Sequence, residues 1–307
     1  MKVVVTGGCG FIGSHLAYRL VRAGHTVIAI DDCSTGRLEN SRALDGVEIV
    51  RGDIMDSALL DQTLSGAEAV FHVAALPSVP RSWSDPLSSL RVNAMGTACV
   101  ARASVRQGVN SLIYSSSSSV YGNQPADCRS EDMETGPISP YGYSKLLGEE
   151  VVLAHGRAGD LRALALRYFN VFGPRQDPDS PYSAVIPKFI RAALLGEPVV
   201  VHGDGSQSRD FTYVDNVVDA NLLALASSTG GLCLNVACGR SVSLLQLVAA
   251  ISGLSTRPLK MSHAEPRHGD VLHSRADCRL AERVLGYRPR VQFEAGLSLT
   301  YDHYSDN

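Results

Sequence analysis

The sequence carries no strong charge of either sign, no polybasic tract and no cysteine pair at CxxC spacing. Its 28 basic and 31 acidic side chains leave a net charge of −3 over 307 residues. Nothing in that balance points to nucleic acid or to an anionic membrane surface, so neither is expected as a partner. No apolar run approaches the ~20 residues that a bilayer-spanning helix needs. The cysteines at 9, 33, 99, 128, 233, 238 and 278 are odd in number and scattered. They read as reduced thiols of a cytoplasmic protein, not as a disulfide frame, and no metal-ligand set is expected. Lysine is scarce: four stand against 24 arginines, which fits a GC-rich genome and says nothing of function. Lys2 is followed at once by an apolar run and a glycine-rich turn, so no secretory leader is expected.

What is present is a globular composition, 45% hydrophobic and 19% charged. Short apolar runs at residues 3–6, 26–30, 47–50, 69–72, 111–114 and 161–167 read as buried strands. Helical patterns at 11–23, 86–107 and 141–155 lie between or beside them. Alternating strands and helices imply right-handed crossovers and a parallel sheet covered on both faces, an α/β doubly wound, Rossmann-type architecture. After Phe169 the texture changes to a passage rich in Gly, Pro and Asp, followed by a helix at 215–226 and short strands. The chain is expected to divide into a dinucleotide-binding domain, 1–167, and a smaller α/β substrate domain, 168–307, some of whose segments return to the first.

Gly7, Gly10 and Gly13 follow the first strand and open the first helix. Such glycines let a backbone turn tightly and approach a pyrophosphate, which the helix N-terminus attracts with its unpaired N–H groups. Asp31 ends the second strand, where an acid accepts bonds from the adenosine ribose and repels a 2′-phosphate. This favours NAD over NADP, although Arg37 lies near enough to soften the preference. Asp53, after Gly52, is placed either to hold the adenine edge or to cap a helix before Ile54.

Tyr141 and Lys145 are four residues apart and share one helical face. A phenol with pKa about 10 is a poor base at neutral pH, and a neighbouring ammonium favours its ionised form. The run of serines at 115–119 sits between an apolar strand and Val120-Tyr121-Gly122, and reads as a strand end opening onto a site.

TGGCGFIGSH at 6–15, YSSSSSVYG at 114–122 and SPYGYSK at 139–145 together resemble the extended short-chain dehydrogenase/reductase family, and within it the nucleotide-sugar 4-epimerases. RYFNVFGPRQDP at 167–178, GDGSQSRDFTYVDNV at 203–217 and RHGDV at 267–271 carry the resemblance over essentially the whole chain. It implies a redox cycle in which the C4 hydride moves to tightly bound NAD, the 4-keto sugar turns over, and the hydride returns to the opposite face. Tyr141 is then the base, Lys145 tunes it, and Ser117 relays the proton. NAD is expected to touch Gly7, Gly10, Phe11, Ile12, Gly13, Asp31, Asp32, Ser34, Gly36, Asp53, Ile54, Ala74, Asn93, Ser115, Tyr141, Lys145 and Tyr168. The UDP-sugar is expected at Ser78, Arg81, Ser117, Ser118, Ser119, Asn170, Arg209, Arg267, Asp270 and Ser274, with Arg209 and Arg267 on the diphosphate and Asp270 on the uridine ribose. Ser118-Ser119 replaces the acidic residues of the family's dehydratases and decarboxylases, which disfavours both reactions. Pro77 replaces a cofactor-contacting lysine of the galactose-type enzymes. Ser274 stands at the size gate, where a serine leaves room for an N-acetyl group. UDP-glucose, its N-acetyl form and, as the alternative, UDP-glucuronate are the candidate substrates. A net NAD-dependent oxidoreductase is the less favoured activity. The helical stretches 86–107 and 141–155 match those that pair in the family's homodimers.

Overall fold

The computed structural model describes residues 1–42, 45–124, 128–180, 183–256, 259–265 and 272–306. Its first half alternates as the apolar runs predict: β1 (Lys2–Thr6), α1 (Phe11–Arg22), β2 (Thr26–Asp31), α2 (Glu39–Arg42), β3 (Val47–Arg51), α3 (Ser57–Leu64), β4 (Ala69–His72), α4 (Val79–Ser84), α5 (Pro86–Leu90), α6 (Thr97–Arg106), β5 (Ser111–Ser117), α7 (Pro140–Ala158) and β6 (Arg162–Tyr168). The second half carries β7 (Val171–Phe172), α8 (Val185–Leu195), β8 (Val199–His202), β9 (Ser208–Arg209), β10 (Thr212–Tyr213), α9 (Val214–Ala226), β11 (Leu232–Val236), β12 (Val242–Ser243), α10 (Leu244–Leu254), β13 (Met261–Ala264), α11 (Arg279–Leu285) and α12 (Phe293–Ser305).

Seven strands form one parallel sheet in the order β11-β6-β5-β4-β1-β2-β3. The order reverses between β1 and β4, which opens a crevice beyond their carboxyl ends. Successive side chains of β1 enter opposite cores. Val3 and Val5 pack with α1, α9 and the C-terminal elements, while Val4 packs with α3, α6 and α7. The strand is therefore apolar without alternation. β11 comes from the second half of the sequence and joins the sheet beside β6. The remaining strands pair only in twos, β7 with β10, β8 with β13 and β9 with β12.

The single helix expected over 86–107 is three segments: α5, a π-helical stretch Arg91–Gly96, and α6. The π stretch carries an extra residue per turn and brings Asn93 fully inward. Of the two readings of Asp53, the helix cap falls instead to Asp56, whose carboxylate accepts from Ala58 N and Leu59 N at the start of α3. No disulfide joins any two of the seven cysteines. No described helix is long and apolar enough to cross a membrane.

Candidate active site

The glycine turn lies between β1 and α1, at the crevice. Gly7 takes φ +70°, the left-handed region, and a Cβ there would lie 2.7 Å from Ala74 N. A Cβ on Gly13 would overlap the Gly7 carbonyl. The turn is thus packed backbone against backbone. Gly10 caps α1 without any side-chain cap, and the first turn carries no acid, so the N–H groups of Phe11 and Ile12 face the crevice mouth as an anion cradle.

Asp31 closes β2 beneath that cradle. Its carboxylate accepts from Cys9 N at 2.9 Å and from Cys33 N at 2.8 Å, with the Gly10 backbone close by. Burial raises its pKa, and these backbone bonds oppose the rise. A carboxylate offers about four lone-pair directions, so about two are left for ribose hydroxyls. Gly36 crosses over it, where a Cβ would lie 3.0 Å from both oxygens. Asp32 is exposed and accepts from Ser34 N and Oγ. Asp53 accepts from Met55 N and pairs with Arg91 at 3.0 Å, and Ile54 is buried under Gly96. Arg37, read as softening the choice between NAD and NADP, is paired with Asp177 at 2.9 Å. The packed glycines, the bare helix end and the ribose-facing carboxylate fit a dinucleotide.

A chain of bonds runs under this crevice. Ala74 N donates to Thr6 Oγ1, which bonds His72 Nδ1 at 2.7 Å, and His72 Nε2 bonds Thr97 Oγ1 at 2.9 Å. Thr97 donates to Asn93 O, so it accepts from His72, and the ring is neutral with its proton on Nε2. Burial and the nearby Lys145 push the His72 pKa down to about 3. The Asn93 amide accepts from Leu76 N, donates to Leu76 O and reaches Ser144 Oγ at 3.0 Å. It clamps the segment after β4 to α7.

Ser139 caps α7 by accepting from Gly142 N, and Pro140 opens it. This starts the helix so that Tyr141 stands one turn before Lys145. The Tyr141 hydroxyl lies toward Ser117. Burial raises the phenol and the proximity of the Ser117 hydroxyl opposes the rise. Lys145 is buried, its ammonium 4.4 Å from the Tyr114 ring centre. Burial pushes it down to about 7, with Glu149 acting against the shift. β5 runs three serines further than its apolar stretch, to Ser117, where a 3₁₀ turn Ser118–Val120 begins. Ser119 N and Oγ both donate to Ser117 Oγ, at 3.2 and 2.9 Å. Ser115 and Tyr168, both read as cofactor contacts, turn their hydroxyls to each other at 3.0 Å in the interior, and Tyr168 is held further by Asn221.

On the substrate side, Ser78 takes φ +98° and caps α4 through Arg81 N at 3.3 Å. Asn170 is exposed at φ +28°, its carbonyl accepting from Thr212 N. Arg209 Nη1 donates to Ser208 O and Leu272 O. Ser274 is buried and its N–H donates to Ser208 O at 3.1 Å, which sets the gate position beside Arg209. Arg267 and Asp270 lie outside the described residues. Two buried acids were not singled out from sequence. Glu149 is one; it lies four residues past Lys145 and its spacing alone could have marked it. Asp210 is the other; its carboxylate accepts from Cys238 N, Gly239 N and Ala276 N, partners no spacing reveals.

A Rossmann-type sheet with a glycine cradle at its switch point and a Tyr–Lys pair over a serine-tipped strand defines a nicotinamide-dependent enzyme of the short-chain dehydrogenase/reductase class. The chain belongs to the NAD dependent epimerase/dehydratase family, whose profile matches residues 3–237. A UDP-glucose 4-epimerase of Mycolicibacterium smegmatis is 39% identical over 99% of this chain and 98% of its own. The UDP-N-acetylglucosamine 4-epimerase of Methanobrevibacter ruminantium, solved with UDP-N-acetylmuramic acid, superposes with a TM-score of 0.95 at 39% identity, covering 99% of this chain and 98% of that one. The UDP-glucuronic acid 4-epimerase of Bacillus cereus, solved with UDP-glucuronic acid and NAD, gives 0.93 at 31% identity over 100% and 99% of the two chains.

Proposed function

We propose that the protein is a UDP-sugar 4-epimerase that retains its NAD, acting on UDP-glucose or UDP-galactose or on their N-acetyl forms. The placing of Tyr141 beside the Ser117 tip of β5, one turn from the buried Lys145, carries this reading. NAD would be held by the N–H groups of Phe11 and Ile12, by Asp31, Asp32 and Ser34 on the adenosine side, and by Lys145, and it would supply a hydride acceptor and donor at C4. Tyr141 takes the O4 proton, directly or through Ser117, and returns it once the keto sugar has presented its other face. Lys145 favours the phenolate while it is charged. Arg209 grips the diphosphate with a planar fork, and Arg267, Asp270 and Asn170 complete the nucleotide and sugar contacts. Ser78, Arg81 and the hydroxyls of Ser118 and Ser119 line the hexose. Ser118-Ser119 provides no acid–base pair for elimination or decarboxylation.

UDP-glucuronate is the second reading, supported by the likeness to the Bacillus cereus enzyme and by the hydroxyl-rich tip, which suits a carboxylate. A cytoplasmic homodimer fits the apolar side chains that α5, the π stretch and α7 leave exposed: Leu87, Met95, Tyr143 and Leu147. Proton NMR of the purified protein with UDP-glucose, UDP-N-acetylglucosamine or UDP-glucuronate, each without added NAD, tests the proposal. A galacto-configured anomeric signal is expected, and the fastest tube names the substrate. Silence in all three overturns the epimerase reading.

A further inference from the structure

We propose that Glu149 is a positioning residue for the Tyr141–Ser117 pair: through Ser116 it fixes the serine tip of β5 against the helix that bears Tyr141, and it sets a carboxylate one helical turn from Lys145. The inference rests on the epimerase reading above.

Tyr141, Lys145 and Glu149 recur every fourth residue of α7 and share one stripe. Across the sheet, Ser116 is in register with Arg167, and Arg167 with Asn235, so three neighbouring strands carry a polar row on the face that meets α7. Ser116, Lys145, Glu149, Arg167 and Asn235 are buried, and Tyr141 is half-buried. Glu149 sits over the row. Its Oε2 accepts from Ser116 Oγ at 2.5 Å. Arg167 donates Nε to both carboxylate oxygens at 3.1 Å and Nη2 to Oε1 at 2.5 Å, while its guanidinium lies 4.7 Å from the Tyr121 ring centre. This is a forked, charge-assisted pair whose geometry admits little play. Ser115, one residue earlier on the opposite face, is tied to Tyr168. The strand is therefore pinned from both faces immediately before Ser117. A closed ring results: Tyr141 to Glu149 along the helix, Glu149 to Ser116, Ser116 to Ser117 along the strand, and Ser117 back to Tyr141. A proton relay depends on such a distance being held.

The same carboxylate acts on Lys145. The titratable groups facing that ammonium are Tyr141 and Glu149 on α7, Tyr114 on β5 and His72 on β4. His72 is neutral and repels no charge at working pH. Glu149 is the group that favours the charged lysine, against the burial that disfavours it. Its loss would leave Lys145 neutral at a lower pH, and the phenolate would lose its partner.

Two variants separate the two roles, assayed with whichever of UDP-glucose, UDP-N-acetylglucosamine or UDP-glucuronate the wild type converts. Ser116→Ala removes the anchor and leaves both charges. It is expected to lower kcat ten- to a hundred-fold, with KM within two-fold, an unmoved pH profile and a near-native thermal midpoint. The paired Glu149→Gln/Arg167→Gln variant removes both charges together. Its alkaline limb of kcat is expected about one pH unit lower, and Glu149→Asp alone should restore that limb. A wild-type kcat in Ser116→Ala, or an unmoved limb in the paired variant, overturns the proposal. If the paired variant does not fold, Glu149→Asp decides with Ser116→Ala: lowered kcat with the limb in place supports positioning, and wild-type kcat refutes it. A wild type silent on all three sugars removes the epimerase reading and this inference with it, an outcome distinct from active wild type with unaffected variants.

Discussion

Glu149 and Asp210 are both fully buried carboxylates, one in each half of the molecule, and they are satisfied by opposite means. Glu149, in the sheet half, is answered by side chains: the Arg167 fork and the Ser116 hydroxyl. Asp210, among the short strand pairs, is answered by backbone N–H groups of Cys238, Gly239 and Ala276. The difference follows from what each half does. Around Tyr141 and Ser117 the elements are long and already rigid, so side chains suffice to set a distance. Beside Arg209 and Ser274 the strands are only two residues long, and the carboxylate itself joins three separate stretches of chain into one wall. The proposed chemistry sits on the sheet, and the proposed recognition on a lobe that one buried acid holds together.

The largest effect expected is on turnover, and it tests that division. Tyr141→Phe removes the base alone and should lower kcat by about 10²–10⁴-fold, with UDP-sugar affinity and retained NAD unchanged. Affinity is read by calorimetry and NAD by its release on denaturation. A comparable loss of UDP-sugar affinity would show that the two halves are not separable.

Stability should divide along the same line when pH is varied. His72 belongs to the sheet half. Its folded pKa, about 3 against 6.5, is depressed, so its contribution is present above 6.5 and fades as the pH falls toward 3. By pH 4.5 the folded state should have lost about 3 kcal/mol to this group. Urea midpoints at pH 7 and 4.5 should show His72→Gln losing less on acidification than the wild type, even though its stability at pH 7 is lower. Equal losses would remove His72 as the source.

Asp210 should act with the opposite sign. Burial raises its carboxyl from 3.8 to about 6, so its contribution is fully present below 3.8 and is lost as the pH rises through 6. Asp210→Asn keeps the size but offers one acceptor oxygen where there were two, and turns an NH₂ toward backbone donors. At pH 7 it should cost about 2 kcal/mol. The gap to wild type should widen by about 2 kcal/mol more between pH 7 and pH 4, because only the wild type gains by binding the proton. A gap that narrows on acidification would contradict the assignment.

The same contrast explains what could be read in the sequence. The sheet strands at 3–6, 26–30, 47–50 and 69–72 were legible because burial on both faces leaves unbroken apolar runs, and the structure moves their ends by no more than one residue. The glycine spacing and the Tyr–Lys interval were legible because the chemistry needs fixed residue types at fixed separations. The π stretch at Arg91–Gly96 was not, since its cause is tertiary: Asn93 is drawn in by Leu76 and Ser144, which are distant in sequence. The two-residue strands β7, β9, β10 and β12 carry too few residues for any period to register. Asp210 lay inside a quoted motif and went unremarked, because a carboxylate held by backbone leaves no partner residue to find.

The smallest effect expected concerns which sugar the lobe admits. Ser274 is buried and tied through its own N–H to Ser208, the neighbour of Arg209. A larger side chain there has little solvent to escape into, and on the proposed function it would enter the hexose side of the wall. Ser274→Tyr should therefore discriminate by size, lowering kcat/KM for UDP-N-acetylglucosamine about ten-fold more than for UDP-glucose, a difference of about 1.4 kcal/mol. Because Tyr141, Ser117 and Lys145 belong to the sheet half, the pH profile with the smaller sugar should not move. Equal losses on both sugars would mean that the position shapes the wall as a whole and not the pocket for the N-acetyl group. A shifted pH profile would mean that the lobe reaches the base after all.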